Sequence, residues 1–220
     1  VEAREAMVAR AGGATRADMA QNYWGPSDQW FDAATGVEVD AVYFDAVWMD
    51  DQVRRVLHDH RPSLGYTTAF CHTVRHSRPL HDPDGWFTAL QTACAAPYPE
   101  ELRRAIIAWN WPLLRDIITS YAAQIEKALQ RDDRVSLNHR LAALLASYFD
   151  ILFAVNRVWH PGEKRLVARA SALCERLPEG MADDLEAVLA AAGTADPALT
   201  LHLHRLLDRL DALLAADGLI

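Results

Sequence analysis

No stretch of this chain stays apolar for the roughly 20 residues that a membrane-crossing helix requires, so a helical membrane span is not expected. Cysteine is scarce. Cys71, Cys94 and Cys174 are scattered and odd in number. They fit buried thiols in a reducing compartment better than a disulfide frame, which places the expected location in the cytoplasm. Positive charge is also short: 22 basic residues against 30 acidic ones leave a net charge of −8. That balance argues against a general nucleic-acid surface, although a local basic pocket stays open. There is no signal-peptide pattern, no internal repeat and no low-complexity segment.

What the chain has is apolar bulk. Hydrophobic residues make up 51% of its 220 residues, enough for one large domain or two small ones. The first ten residues read as a helix stopped by Gly12-Gly13. Asp28 to Asp32 and Val37 to Phe44 are rich in β-branched and aromatic residues around a Thr35-Gly36 turn, which predicts a hairpin. No second strand pair is as clear. From Ala46 onward the pattern is helical. Breaks are predicted at Arg61-Pro62, before Pro79 and at His81 to Gly85, and Pro112 leaves either a kink or a new helix. Leu137, Leu141, Leu144, Leu145, Tyr148, Phe149, Leu152 and Phe153 form a wide apolar face, so a helix from Asp132-Asp133 to Val158 is predicted as the centre of a bundle. The expected fold is α+β, mostly α: a truncated small mixed sheet followed by a helical bundle of six or more helices. The expected division is residues 1–60 and 61–220.

Two groups of residues could carry chemistry. Glu38 and Asp40 sit two apart on a predicted strand, so both face one side, opposite Val37, Val39 and Ala41. Paired carboxylates at a sheet edge can hold Mg²⁺ or accept a proton from a hydroxyl; the competing reading is the wet face of a hairpin. Asn156 and Arg157 close the long helix, Pro161-Gly162 break it, and Lys164-Arg165 open the next. An amide and two cations at adjacent helix ends suit a polyanion such as a nucleotide triphosphate. Ordinary solvated partners of a helix end are the competing reading. His72 and His76 are four apart and could share a helix face, but no Cys or acidic residue at helical spacing completes a zinc site. His58 and His60, like His202 and His204, diverge. Trp86, Phe87, Trp109, Trp111 and Tyr121 read as packing rather than as base-stacking platforms.

Taken together, these residues resemble the polymerase-β superfamily of nucleotidyltransferases. The likeness is to the group in which a small catalytic domain precedes a DUF4037-like helical domain. Gly36 to Tyr43 resembles the strand that supplies the third active-site carboxylate. His81-Asp82-Pro83-Asp84-Gly85-Trp86-Phe87 resembles the family's Asp-Pro-x-Gly turn, with Tyr98-Pro99 after a short helix. Tyr148 to Lys164 resembles the helical signature. The likeness covers roughly residues 30–170. It implies transfer of a nucleoside monophosphate from a nucleotide triphosphate to a small hydroxylated acceptor, with Mg²⁺. Asp40 would be the catalytic carboxylate and, with Glu38, a metal ligand. Tyr148, Asn156, Arg157 and Lys164 would bind nucleotide or acceptor.

The resemblance also implies a Gly-Ser motif at a helix start and an Asp-x-Asp pair holding two metals. Gly12-Gly13 and Gly25-Pro26-Ser27-Asp28 do not fit that pattern. The expectation is therefore that about the first quarter of a parent protein lies upstream, and that this chain alone is inactive. Asp40 is expected to share a cleft with Asn156, Arg157 and Lys164. Two other classes stay open: a non-catalytic helical nucleotide binder and a protein-interaction module.

Overall fold

The computed structural model describes residues 1–220: three strands and ten helices, α+β with helix dominant. They form two compact units, Val1–Asp51 and Gln52–Ile220. The division falls inside the helix α2 (Ala46–Leu57).

In the first unit, α1 (Glu2–Arg10) precedes β1 (Ala14–Gln21), β2 (Ser27–Asp32) and β3 (Glu38–Val42). The sheet order is β1-β2-β3 and both pairings are antiparallel, so the mixed sheet expected from sequence is an antiparallel one. The predicted hairpin is β2-β3. Its turn is closed by Asp32, which accepts hydrogen bonds from the backbone and hydroxyl of Thr35. β1 was not foreseen. Ala14-Thr15-Arg16-Ala17-Asp18-Met19-Ala20-Gln21 is poor in β-branched and aromatic residues, and its strand state comes from pairing with β2. α1 packs on β1, with Val8 buried. Asp28, 1% exposed, joins the two: Arg4 lies 2.6 Å away, and Tyr43 Oη and Ala20 N–H donate at 2.6 and 2.7 Å. Burial pushes the Asp28 carboxyl upward, but these donors outweigh it and hold the group below its ordinary range.

The second unit is built around α7 (Arg134–Val155), which buries Tyr148 and the whole run Ile151–Val155. α5 (Glu100–Arg115) and α6 (Tyr121–Gln130) pack against it. α9 (Met181–Thr194) packs on α10 (Ala198–Ala216), which also meets α6. The apolar face is the predicted one, except that Leu145 is only half-buried while Leu144 is fully buried. Asp133 caps α7 by accepting from Ser136 N–H. α7 ends at Val155, three residues short of the expected end, because Arg157 turns left-handed at φ 54°. Its N–H and that of Val158 return to the carbonyls of Ala154 and Phe153.

Pro112 does not end its helix, which runs on to Arg115. The last turn is anchored from α10: Trp111 Nε1 donates to Asp211, and Arg115 pairs with Asp208 and Asp211. These contacts offset the backbone bond that proline removes. α3 (Ala69–His76) lies between the predicted breaks at Arg61-Pro62 and Pro79, and starts only after Thr67 and Thr68, whose hydroxyls bond to Asp150 and to the His160 N–H. α4 (Trp86–Ala95) begins where predicted, its first N–H groups held by Asp82. α8 (Leu166–Leu173) opens directly after Lys164-Arg165, as predicted.

Gly65 shows how closely the 63–68 loop lies on α7. It stands at φ 81°, and an added Cβ would sit 2.8 Å from the Ala146 Cβ and 2.9 Å from its carbonyl carbon. Gly65→Ala therefore combines a strained backbone with a clash against a helix that cannot yield. A loss of about 2 kcal/mol is expected in urea unfolding; an unchanged midpoint would mean that the loop lifts freely from α7.

Candidate functional site

The two units each carry one of the candidate groups. In the first, cross-strand partners place side chains on a common face. Arg16, Phe31 and Glu38 form one row, and Asp18, Gln29 and Asp40 the next. Glu38 and Asp40 thus share a face, and both are exposed. The opposite face carries Asp28, Trp30, Val39 and Ala41, and there Arg4 of α1 reaches Asp28. A hollow of ≈ 230 Å³ is lined by Arg16, Asp18, Gln29, Phe31 and Glu38 of this face, together with Trp30. Arg16 pairs with Asp18 at 3.0 Å.

No group of three or more His, Cys, Asp or Glu side chains stands close enough to hold a metal by itself. Glu38 and Asp40 could at most furnish one or two carboxylates to a divalent cation whose other ligands come from elsewhere, and they do not form an all-protein cage. His72 and His76 do share a face, with ring centroids 4.1 Å apart. The His76 Nδ1 lies 2.8 Å from the His72 carbonyl, so that nitrogen is engaged within the helix.

In the second unit the polar turn is strongly ordered, and its members have separate partners. The Asn156 amide is used on both sides. Its Nδ2 donates to the Leu152 and Arg176 carbonyls, and its Oδ1 accepts from Arg176 N–H. Arg157 donates to Glu100 Oε2 at 2.8 Å, and Arg103 and Arg104 meet the same carboxylate. Burial pushes the Glu100 carboxyl upward, but Arg103 and Arg157 prevail and hold it below its ordinary range. Arg103 continues to Asp217, which also binds Arg176, so ion pairs tie the turn to the start of α5 and the end of α10. Lys164 is exposed, just before the left-handed Arg165. Tyr148 is fully buried, its hydroxyl without a partner, and burial pushes its pKa well up.

Sequence reasoning missed the polar centre of this unit. Asp150, 1% exposed, accepts from Thr67 N–H at 3.0 Å and Thr67 Oγ1 at 2.6 Å. The Asn110 amide donates to it at 3.4 Å, and to the Ser63 and Ile106 carbonyls. The neighbouring Thr68 Oγ1 accepts from His160 N–H at 2.7 Å. Gly162 N–H donates to His160 Nδ1, leaving the proton of the neutral ring on Nε2, which is buried without a partner. Burial raises Asp150 to about 7, against the pull of the Thr67 bonds, and lowers His160 to about 4, with His72 adding to the shift. The available signal was Asp150 itself, the one carboxylate in the apolar run Leu141–Val155.

No curated protein and no solved structure matches this chain. Over residues 67–166, from the Thr67 loop through α7 and the polar turn, it matches the model of a family described as a domain of unknown function (DUF4037).

Proposed function

We propose that this chain belongs to a nucleotidyltransferase that moves a nucleoside monophosphate from a nucleotide triphosphate to a small hydroxylated acceptor. The observation that carries the reading is the side-by-side placement of Glu38 and Asp40 on the open face of an antiparallel sheet whose other face is engaged by α1. Asp40 would take the proton of the acceptor hydroxyl, or with Glu38 hold Mg²⁺ through the nucleotide phosphates. The ion would supply charge neutralisation at the phosphates. Arg157 and Lys164 would bind phosphate oxygens. Arg157 would have to exchange its Glu100 partner for phosphate, and Asn156 would position the turn without touching ligand.

In calorimetry with magnesium–ATP and magnesium–GTP, Asp40→Asn and Arg157→Ala are each expected to weaken binding at least about tenfold, or about 1.4 kcal/mol. Unchanged binding in Arg157→Ala would remove the polar turn from the reading, and in Asp40→Asn the carboxylates. A second reading, a nucleotide binder or interaction module without chemistry, is favoured by the commitment of Arg157 to Glu100 and the burial of Tyr148. It predicts no pyrophosphate release at any nucleotide concentration, whereas transfer predicts release that depends on Asp40.

A further inference from the structure

A hollow in this acidic chain is lined by cations and by no carboxylate. It lies where α6 packs against α7, has a volume of ≈ 230 Å³, and is lined by Gln124, Lys127, Arg131, Ser136 and Arg140. Lys127 and Arg131 are one helical turn apart at the end of α6; Ser136 and Arg140 are one turn apart on α7. Two further arginine-lined hollows contain their own counter-charges. Arg16 shares one with Asp18 and Glu38, and Arg115 shares another with Asp116 and Glu126. Lys127, Arg131 and Arg140 make no ion pair within the chain, although acidic residues outnumber basic ones 30 to 22.

Ordinary dipole pairing accounts for Arg131 at the end of α6. It does not account for Arg140, which stands in the second turn of α7, far from that helix's negative end. Asp133, on which the Arg131 charge acts, is occupied as the α7 cap. It draws on the Ser136 hydroxyl and N–H, and these bonds, with Arg131 and His139 nearby, hold its carboxyl below the ordinary range.

We propose that this hollow binds an oligophosphate anion. Two guanidinium forks and an ammonium would share its oxygens, and the Ser136 hydroxyl and Gln124 amide would add neutral donors. The inference goes beyond the nucleotidyltransferase reading. The hollow lies wholly within Gln52–Ile220 and shares no residue with the carboxylate face or the polar turn.

The test is calorimetry of the full chain with sodium pyrophosphate at low salt and without magnesium. Saturable one-site binding is expected. Lys127→Gln combined with Arg140→Gln should weaken it at least about tenfold, and added salt should weaken it further. Asp133→Asn keeps a capping side chain but removes the competing charge, so it should tighten binding. Arg78→Gln, an exposed arginine in the loop between α3 and α4, should change nothing. Absence of saturable binding, equal binding by the double variant and wild type, or equal weakening by Arg78→Gln would each overturn the proposal. Circular dichroism of the double variant separates lost binding from lost structure, and tightening in Asp133→Asn would be independent support.

Discussion

Phe153→Ala is expected to destabilise Gln52–Ile220 by about 3–5 kcal/mol, the cost of deleting a core aromatic side chain and leaving part of its volume empty. Phe153 is 1% exposed on the central helix, stacked 6.3 Å from Phe149 and edge-on to His160 at 4.9 Å. The run Ser147–Val155 of α7 is buried without a break around it, so little can relax into the cavity. Urea unfolding followed by circular dichroism measures the effect. Leu201→Ala, on an exposed position of α10, is the comparison and should shift stability by less than about 0.5 kcal/mol. A loss under about 1 kcal/mol for Phe153→Ala would mean that α7 is not the centre of the unit.

The second large effect concerns pH, and it has two opposing parts. Asp150 has its folded pKa raised to about 7 from an ordinary 3.8. The folded state therefore binds its proton more tightly, and its contribution is fully present below pH 4 and lost as pH rises to 7. That loss is on the order of 4 kcal/mol. His160 has its folded pKa lowered to about 4 from 6.5, so the unfolded chain binds the proton more tightly. Its contribution is present above pH 6.5 and lost as pH falls to 4, on the order of 3 kcal/mol.

The two nearly cancel between pH 4 and 6.5, so the wild-type protein should show little slope there from this pair. Asp150→Asn keeps a hydrogen-bonding amide and leaves His160 alone, so stability should climb with pH across that window. His160→Gln should do the reverse. Parallel slopes in both variants would show that neither group is buried in the state described, whatever the absolute stabilities.

The sequence legibly specified the helical half of the protein. Leucines and aromatics at helical spacing from Leu137 to Phe153 allow only one stable placement of α7, and Asp133, Asp82 and the proline and glycine breaks mark helix starts through local backbone chemistry. Alternation at Val37–Val42 likewise determined the β2-β3 hairpin and put Glu38 beside Asp40, because the strand period is two. β1 was decided only in three dimensions: its composition carries little strand preference, and pairing with β2 supplies it.

The same holds for Pro112. Its local rule predicts a break, yet Asp208 and Asp211 from α10, almost a hundred residues later, hold the helix through it. Arg157, read from spacing as a free cation, is paired with Glu100, 57 residues earlier. Asp150 received its partners from Thr67 and Asn110, whose closeness no local pattern encodes. Periodicity and capping are properties of a chain and its nearest neighbours in sequence. Ion pairing and burial of a polar group depend on which distant segments the packed core brings together, so only the tertiary structure decides which charges remain free to meet a ligand.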